Sequence, residues 1–332
     1  MESKINIAIN GFGRIGRNLF RLLQNHPFIQ VTAINDLADA KTLSHLLKYD
    51  SIHGVLKEDV SFSEKEIIVD GKSITFSSEK NIEAISWNDI DYVVECTGVY
   101  RTRLKLEAHL KAGAKKVILS VPPQDDSIKM VVLGVNEHIL DGNETIISNA
   151  SCTTNNSGPM VQIIDELCGV EQAYITTIHS YTTDQSLHDQ PHRDLRRARA
   201  ASQSIVPTTT GAAKALTKIF PHLATVIGGC GIRVPVPNGS LTDITFNVKN
   251  EVSINEINEA FKKASKTNLK GILQYTEDPI VSVDIIGNRH SCIFDAEMTS
   301  VIGKMVKIIG WYDNEIGYSS RLIDLILHLS RK

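Results

Sequence analysis

Six residues near the start of the chain, Gly11-Phe12-Gly13-Arg14-Ile15-Gly16, limit what it can fold into more than any other stretch. They follow the apolar, strand-like run Lys4 to Asn10. They precede Arg17 to Gln24, where Leu19, Phe20, Leu22 and Leu23 suit a partly buried helix. Three glycines in a strand-to-helix turn have separate mechanical uses. The first permits a tight turn, the second lets a pyrophosphate approach the backbone, and the third lets helix and strand pack closely. The pyrophosphate would sit at the helix N-terminus, where free N–H groups and the helix dipole favour an anion. A second apolar run, Ile29 to Asn35, ends at Asp36, about 20 residues past Gly16. A carboxylate there accepts hydrogen bonds from ribose hydroxyls and repels a 2′-phosphate, which favours NAD over NADP. Gly11, Phe12, Gly13, Arg14, Ile15, Gly16 and Asp36 are therefore expected cofactor contacts.

Further strand-like runs follow at Tyr92 to Cys96, Lys116 to Leu119, Met130 to Leu133 and Thr145 to Ile147. Together they predict an α/β fold whose N-terminal domain, 1–150, is a doubly wound sheet of the Rossmann type. Loops at the carboxyl ends of such strands line the ligand crevice, which brings Thr97, Gly98 and Ser120 toward the cofactor. The same three would also serve as ordinary turn residues. Cys96, inside an apolar strand, reads as packing.

With 332 residues the chain has room for two domains. Its 42% hydrophobic and 22% charged residues suit a full core. A formal net charge of -3 supplies no bulk attraction to nucleic acid or an anionic membrane. The five cysteines are scattered and odd in number, which fits a reducing compartment and predicts a cytoplasmic protein. The start of the chain shows no signal or transit pattern, and no apolar stretch approaches the ~20 residues that span a bilayer. Beyond position 150 the pattern changes. Runs at Ala173 to Ile178, Ile232 to Val236 and Leu241 to Val248 are joined by few helices, notably Thr210 to Phe220 and Ile254 to Ala264. An α+β catalytic domain over 151–314, with a largely antiparallel or mixed sheet, is expected. The C-terminal segment 315–332, with the amphipathic run Ser320 to Leu329, is expected to pack back on the first domain.

The chemistry centres on Ser148-Asn149-Ala150-Ser151-Cys152-Thr153-Thr154-Asn155. An apolar run leads into this polar turn and a helix-compatible run, Pro159 to Leu167, follows, which puts Cys152 near a helix N-terminus. The dipole there favours a thiolate. His179, at the end of a β-like run, is the expected base, and the pair suggests covalent catalysis on a carbonyl carbon.

These stretches, with His179-Ser180-Tyr181-Thr182, Pro207 to Lys214, Arg233-Val234-Pro235 and Trp311 to Glu315, resemble phosphorylating glyceraldehyde-3-phosphate dehydrogenase from end to end. The resemblance implies a glycolytic oxidoreductase acting on glyceraldehyde 3-phosphate, NAD and inorganic phosphate. In that family's reaction Cys152 would form a thiohemiacetal and then a thioester, with His179 as base, and phosphate would release 1,3-bisphosphoglycerate. By the same resemblance Thr182, Asp184 and Arg233 would surround the substrate phosphate. Ser151, Thr153, Arg197, Thr210 and Gly211 would hold the inorganic phosphate. Asn314 would hold the nicotinamide carboxamide, with Tyr318 beside the ring. The segment Ser180 to Ser202 resembles a loop that lies along a neighbouring subunit's cofactor site, which implies a homotetramer.

A sister enzyme using erythrose 4-phosphate and releasing a free acid is the nearest alternative; the threonine run 208–210 favours the phosphorylating enzyme. An NAD-responsive regulatory protein would need a lost catalytic residue, and Cys152, His179, Arg233 and Asn314 are all present. Arg193 to Arg199 could be read as a nucleic-acid patch, but Asp194 and apolar residues interrupt it. The 11 histidines show no convincing metal-ligand spacing. Three positions depart from the common family pattern: Ile316 replaces a tryptophan, Gln190 a leucine often found in NAD-specific members, and Asn156 a second cysteine. Peroxide treatment should therefore yield sulfenic acid or, with glutathione, a mixed disulfide at Cys152. Mass spectrometry finding mainly an internal disulfide through Cys152 would contradict this.

Overall fold

The opening strand and helix are built as their glycines require. In a computed structural model describing residues 4–331, β1 (Ile5–Asn10) turns into α1 (Arg14–Leu22). Gly11 has φ 92°, and a Cβ on Gly16 would lie 2.4 Å from the Gly11 carbonyl oxygen, so neither position admits a side chain. Contacts divide the chain into two units. Within the described residues the first comprises 4–131, 138–150 and 319–331, and the second 132–137 and 151–318.

The first unit continues with β2 (Ile29–Asn35), α2 (Ala40–Lys48), β3 (Tyr49–Asp50), β4 (Gly54–Val55), β5 (Val60–Ser63), β6 (Glu66–Val69) and β7 (Lys72–Ser77). Then come β8 (Tyr92–Glu95), α3 (Arg103–Lys111), β9 (Lys116–Leu119), β10 (Lys129–Met130) and β11 (Ile146–Ser148). The main sheet has the order β10-β11-β9-β8-β1-β2-β7-β6-β5. It is parallel from β10 to β7, and its order reverses between β1 and β8, the usual place for a ligand crevice. Central residues such as Ala8, Ile9, Val93 and Val94 are fully buried, as strands covered on both faces must be. One core cluster gathers round Trp87 and another round Leu106 of α3. The strands β5, β6 and β7, joined as antiparallel hairpins, were not among the expected runs. An available signal was the turn Asp70-Gly71 between β6 and β7, where both residues have positive φ.

The second unit holds α4 (Cys152–Cys168), β12 (Val170–Ser180), β13 (Val206–Thr208), α5 (Ala212–Ile219), β14 (Ile227–Val234) and β15 (Ser240–Val248). After these come α6 (Ile254–Lys266), β16 (Leu273–Thr276), β17 (Cys292–Ile302), β18 (Met305–Tyr312) and α7 (Ile316–Ser330). The last helix begins in this unit and continues into residues of the first. The sheet order is β13-β14-β12-β15-β18-β17-β16. It is mixed: β12–β14 and β16–β17 pair in parallel, and the other pairs are antiparallel. α6 starts with a capping box between Ser253 and Glu256, and its Phe261 stacks on Phe294 of β17 at 3.8 Å. β18 is packed so tightly that a Cβ on Gly310 would meet Met160 Sδ of α4 at 2.6 Å and Cys292 Sγ of β17 at 2.8 Å. Gly310→Ala should therefore destabilise the protein by about 1–3 kcal/mol through overpacking. Urea unfolding checks this, and an unchanged midpoint would show that the two sulfur side chains yield.

Candidate active site

Helix α4 starts at Cys152 itself, well before Pro159. Ser151 is the cap: its Oγ accepts the Thr154 N–H at 3.1 Å. The preceding residue, Ala150, holds φ 56°, a left-handed conformation costing an L-residue about 1–2 kcal/mol. β12 pairs in parallel with β14, which sets His179 opposite Arg233. The two ends meet where Cys152 Sγ lies 3.5 Å from His179 Nε2. On the far side of the ring, His179 Nδ1 donates to Ser180 O at 2.7 Å when Nε2 is the free ring nitrogen, and Arg233 Nη1, 2.9 Å from Nδ1, donates to the same carbonyl. Tyr312 ties the pieces together. Its hydroxyl is 2.9 Å from both Thr153 Oγ1 of α4 and Thr177 Oγ1 of β12, and its ring sits edge-on to His179.

Burial sets the charges. It pushes the Cys152 thiol up, against the opposing pull of Arg233 and the Thr153 hydroxyl. The helix-end stabilisation inferred from sequence is therefore outweighed by desolvation. Burial, reinforced by Arg233, pushes His179 down to about 3, and the Ser180 carbonyl only partly resists. Both shifts favour the neutral forms of the thiol and the imidazole.

Among the candidate anion ligands, Arg197 donates from Nε to Thr208 Oγ1 at 3.0 Å and from Nη2 to Thr209 O at 3.3 Å. It lowers the pKa of His179 and of the largely buried Arg233, so all three lie within electrostatic reach. Arg199 instead pairs at the surface with Asp189. Thr210 Oγ1 accepts the Ala212 N–H, and Gly211 caps α5 with open space where a Cβ would be. Asp184 engages Arg197 through a short ion pair, a better use of a carboxylate than facing a phosphate of like charge. Thr182, two residues past β12, makes no side-chain hydrogen bond to these groups among the described residues.

In the first unit, Asp36 accepts the Phe12 N–H at 2.6 Å and the Ala38 N–H at 2.9 Å, so its carboxylate faces the glycine turn. Arg14 pairs with Asp50 at 2.5 Å. Burial raises the Asp50 pKa, but Arg14 and the His53 and Ile52 N–H groups outweigh it and hold the carboxyl at about 2. Ile15 lies in the first turn of α1. Gly13 and Gly98 leave open space where a Cβ would stand, which fits a dinucleotide lying against the backbone. Beneath them runs a buried polar row that sequence reasoning missed. Asn10, Asn35 and Glu95 each end a strand and are register neighbours. Asn35 donates to Asn10, and Asn10 donates to Glu95 Oε2 at 2.6 Å. Glu95 Oε1 accepts the Thr97 N–H at 2.8 Å, and Glu95 O accepts the Ser120 N–H. Trp87 Nε1 donates to His109 Nδ1, so His109 carries its hydrogen on Nε2 and gives it to Glu95 at 3.0 Å. Polar residues closing otherwise apolar strands were the available signal.

Two family models match the chain: the glyceraldehyde 3-phosphate dehydrogenase NAD binding domain over residues 5–103, and the C-terminal domain over 151–314. Curated relatives are similar along their whole length. Glyceraldehyde-3-phosphate dehydrogenase 2 of Streptomyces avermitilis is 51% identical over 99% of both chains. The Geobacillus stearothermophilus enzyme of that name is 48% identical over 99% of both. The chain belongs to the glyceraldehyde-3-phosphate dehydrogenase family.

Within this family framework, the expected cofactor residue Asn314 lies between β18 and α7, where its Oδ1 accepts from the hydroxyls of Ser180 and Ser240. Tyr318 is buried in the first turn of α7. Tyr312, Ser180 and Ser240 were not singled out from sequence, since hydroxyl residues in strands carry no distinctive pattern. Among the described residues no helix is long and apolar enough to cross a membrane.

The depressed His179 has a thermodynamic consequence. Below about 6.5 the unfolded imidazole binds a proton that the folded one refuses until about 3. Its contribution to stability is therefore full above that window and is lost as pH falls through it. His179→Asn should flatten the rise of stability between pH 5 and 6 by up to about 1.4 kcal/mol per pH unit. Urea unfolding at several pH values checks this; equal slopes in both proteins would show that the folded imidazole titrates freely.

Proposed function

We propose that this protein oxidises glyceraldehyde 3-phosphate with NAD and inorganic phosphate to 1,3-bisphosphoglycerate. The contact of 3.5 Å between Cys152 Sγ and His179 Nε2 carries the reading, because a thiol with a neutral imidazole can add covalently to an aldehyde. His179 Nε2 takes the thiol proton as Sγ attacks the carbonyl carbon, giving a thiohemiacetal on Cys152. N–H groups at the start of α4 favour the developing oxyanion. The Gly11 to Gly16 turn, Asp36, Thr97, Gly98 and Ser120 would hold NAD, with Asn314 toward its carboxamide and Tyr318 nearby, and the bound cofactor would supply the hydride acceptor. His179 returns that proton to the oxyanion, then takes the hydroxyl proton as the hydride leaves and the thiohemiacetal becomes a thioester. Inorganic phosphate, held by Ser151, Thr153, Thr210, Gly211 and Arg197, attacks the thioester carbon and expels the thiolate. Arg233 and Thr182 take the substrate's own phosphate, and Asp184 orients Arg197.

The proposed dinucleotide domain is 1–150 with the C-terminal helix, and the catalytic domain is 151–314. A homotetramer is favoured by the exposed apolar residues Leu187, Leu195 and Ile205 in and beside the segment 180–202, which a further copy would cover. Five free cysteines support a reducing, cytoplasmic setting.

NADH formation from glyceraldehyde 3-phosphate should require inorganic phosphate and exceed that from erythrose 4-phosphate. Turnover indifferent to phosphate would replace this reading with an aldehyde dehydrogenase that releases a free acid. Cys152→Ser should lower kcat by about a thousandfold or more while leaving NAD affinity intact.

A further inference from the structure

Asn314 is held twice over. Its neighbour Asp313 accepts the N–H groups of Glu315 and Ile316 at 2.9 Å on Oδ1 and that of Gly287 at 2.7 Å on Oδ2, which pins the main chain at the start of α7. The side chain is pinned separately. Ser180 Oγ and Ser240 Oγ each donate to Asn314 Oδ1 at 2.9 Å, and Ser240 Oγ accepts the Ser180 N–H at 3.1 Å. Ser180 and Ser240 are 0% and 1% exposed, so neither hydroxyl has water to fall back on.

Hydrogen accounting decides which way the amide points. Each serine hydroxyl owns one hydrogen. Apart from a 3.5 Å contact between the two hydroxyls, Asn314 Oδ1 is the acceptor their hydrogens reach among the described residues. Reversing the amide would strand both buried hydrogens without an acceptor. The Nδ2 group, on a side chain only 6% exposed, has no hydrogen-bond partner among the described residues. A saturated carbonyl and an open NH₂ make Asn314 a donor.

We infer that Ser180 and Ser240 are positioning residues that lock the Asn314 amide as a donor, so that a cofactor carboxamide is read through its carbonyl oxygen and not its NH₂. This rests on the assignment of Asn314 to the carboxamide. Ser180 directly follows His179 on β12, so the same strand end positions both the base and the group that orients Asn314.

Three ligands separate the cases by calorimetry: NAD, its 3-acetylpyridine analogue, which keeps the carbonyl but replaces NH₂ with methyl, and ADP-ribose, which lacks the ring. Wild-type protein should bind NAD and the acetylpyridine analogue with similar affinity. Ser180→Ala/Ser240→Ala should weaken NAD and the analogue together by about three- to tenfold, one hydrogen bond's worth, and leave ADP-ribose unchanged. Unchanged ADP-ribose affinity also reports that the variant is folded, and the single alanine variants should fall between. Wild-type binding of the analogue about tenfold weaker than NAD would mean that Asn314 accepts from the NH₂, and would overturn the lock. An equal fall in ADP-ribose affinity would reduce the serines to a general structural role. Asn314→Ala tests the underlying assignment: an unchanged ratio of NAD to ADP-ribose affinity would remove Asn314 from the carboxamide altogether.

Discussion

The Tyr312 hydroxyl bridges Thr153 and Thr177, and through them it fixes the start of α4 against the end of β12. The thiol and the imidazole come from separate elements 27 residues apart, so their 3.5 Å contact exists only while those elements keep this register. Other features serve the same constraint. Ser151 ends the strand-to-helix turn at one residue before Cys152, Gly310 lets β18 approach α4, and the pairing of β12 with β14 sets Arg233 beside His179. Each acts on position to within a fraction of an ångström, which is what covalent catalysis demands of a nucleophile and its base.

Dense packing round that pair has an electrostatic cost. Burial raises the thiol and lowers the imidazole, and Arg233 favours a thiolate while disfavouring an imidazolium. His179 Nδ1 meets the Ser180 carbonyl and the Arg233 guanidinium together, so one strand residue and one arginine govern which ring nitrogen is available.

The first unit uses polar satisfaction in another way. Asn35, Asn10 and Glu95 sit at the carboxyl ends of three adjacent strands, immediately before Asp36, the glycine turn and the Cys96-Thr97-Gly98 turn. A buried carboxylate is tolerable when its oxygens are filled by donors, and Glu95 has donors from Asn10, His109 and Thr97. The loops expected to hold the dinucleotide are thereby tied to one another underneath.

Much of this was legible in the sequence because its causes are local. A strand, a glycine turn and a helix follow from residues within one short stretch, and so do the cysteine beside a cap and the histidine at a strand end. The mixed sheet of the second half followed from strand runs poor in helices, whereas β5 and β6 escaped because both are only four residues long and β5 is largely exposed. The resemblance pointed to Arg197, but only folding shows that it reaches Thr208 while the nearby Arg199 pairs with Asp189. The sequence by itself determined the dinucleotide turn and the family. The tertiary structure decided the surroundings of Cys152 and His179, the partner of Asp184 and the orientation of Asn314. Desolvation and hydrogen-bond satisfaction depend on groups distant in the chain, Ser180 and Asn314 being 134 residues apart.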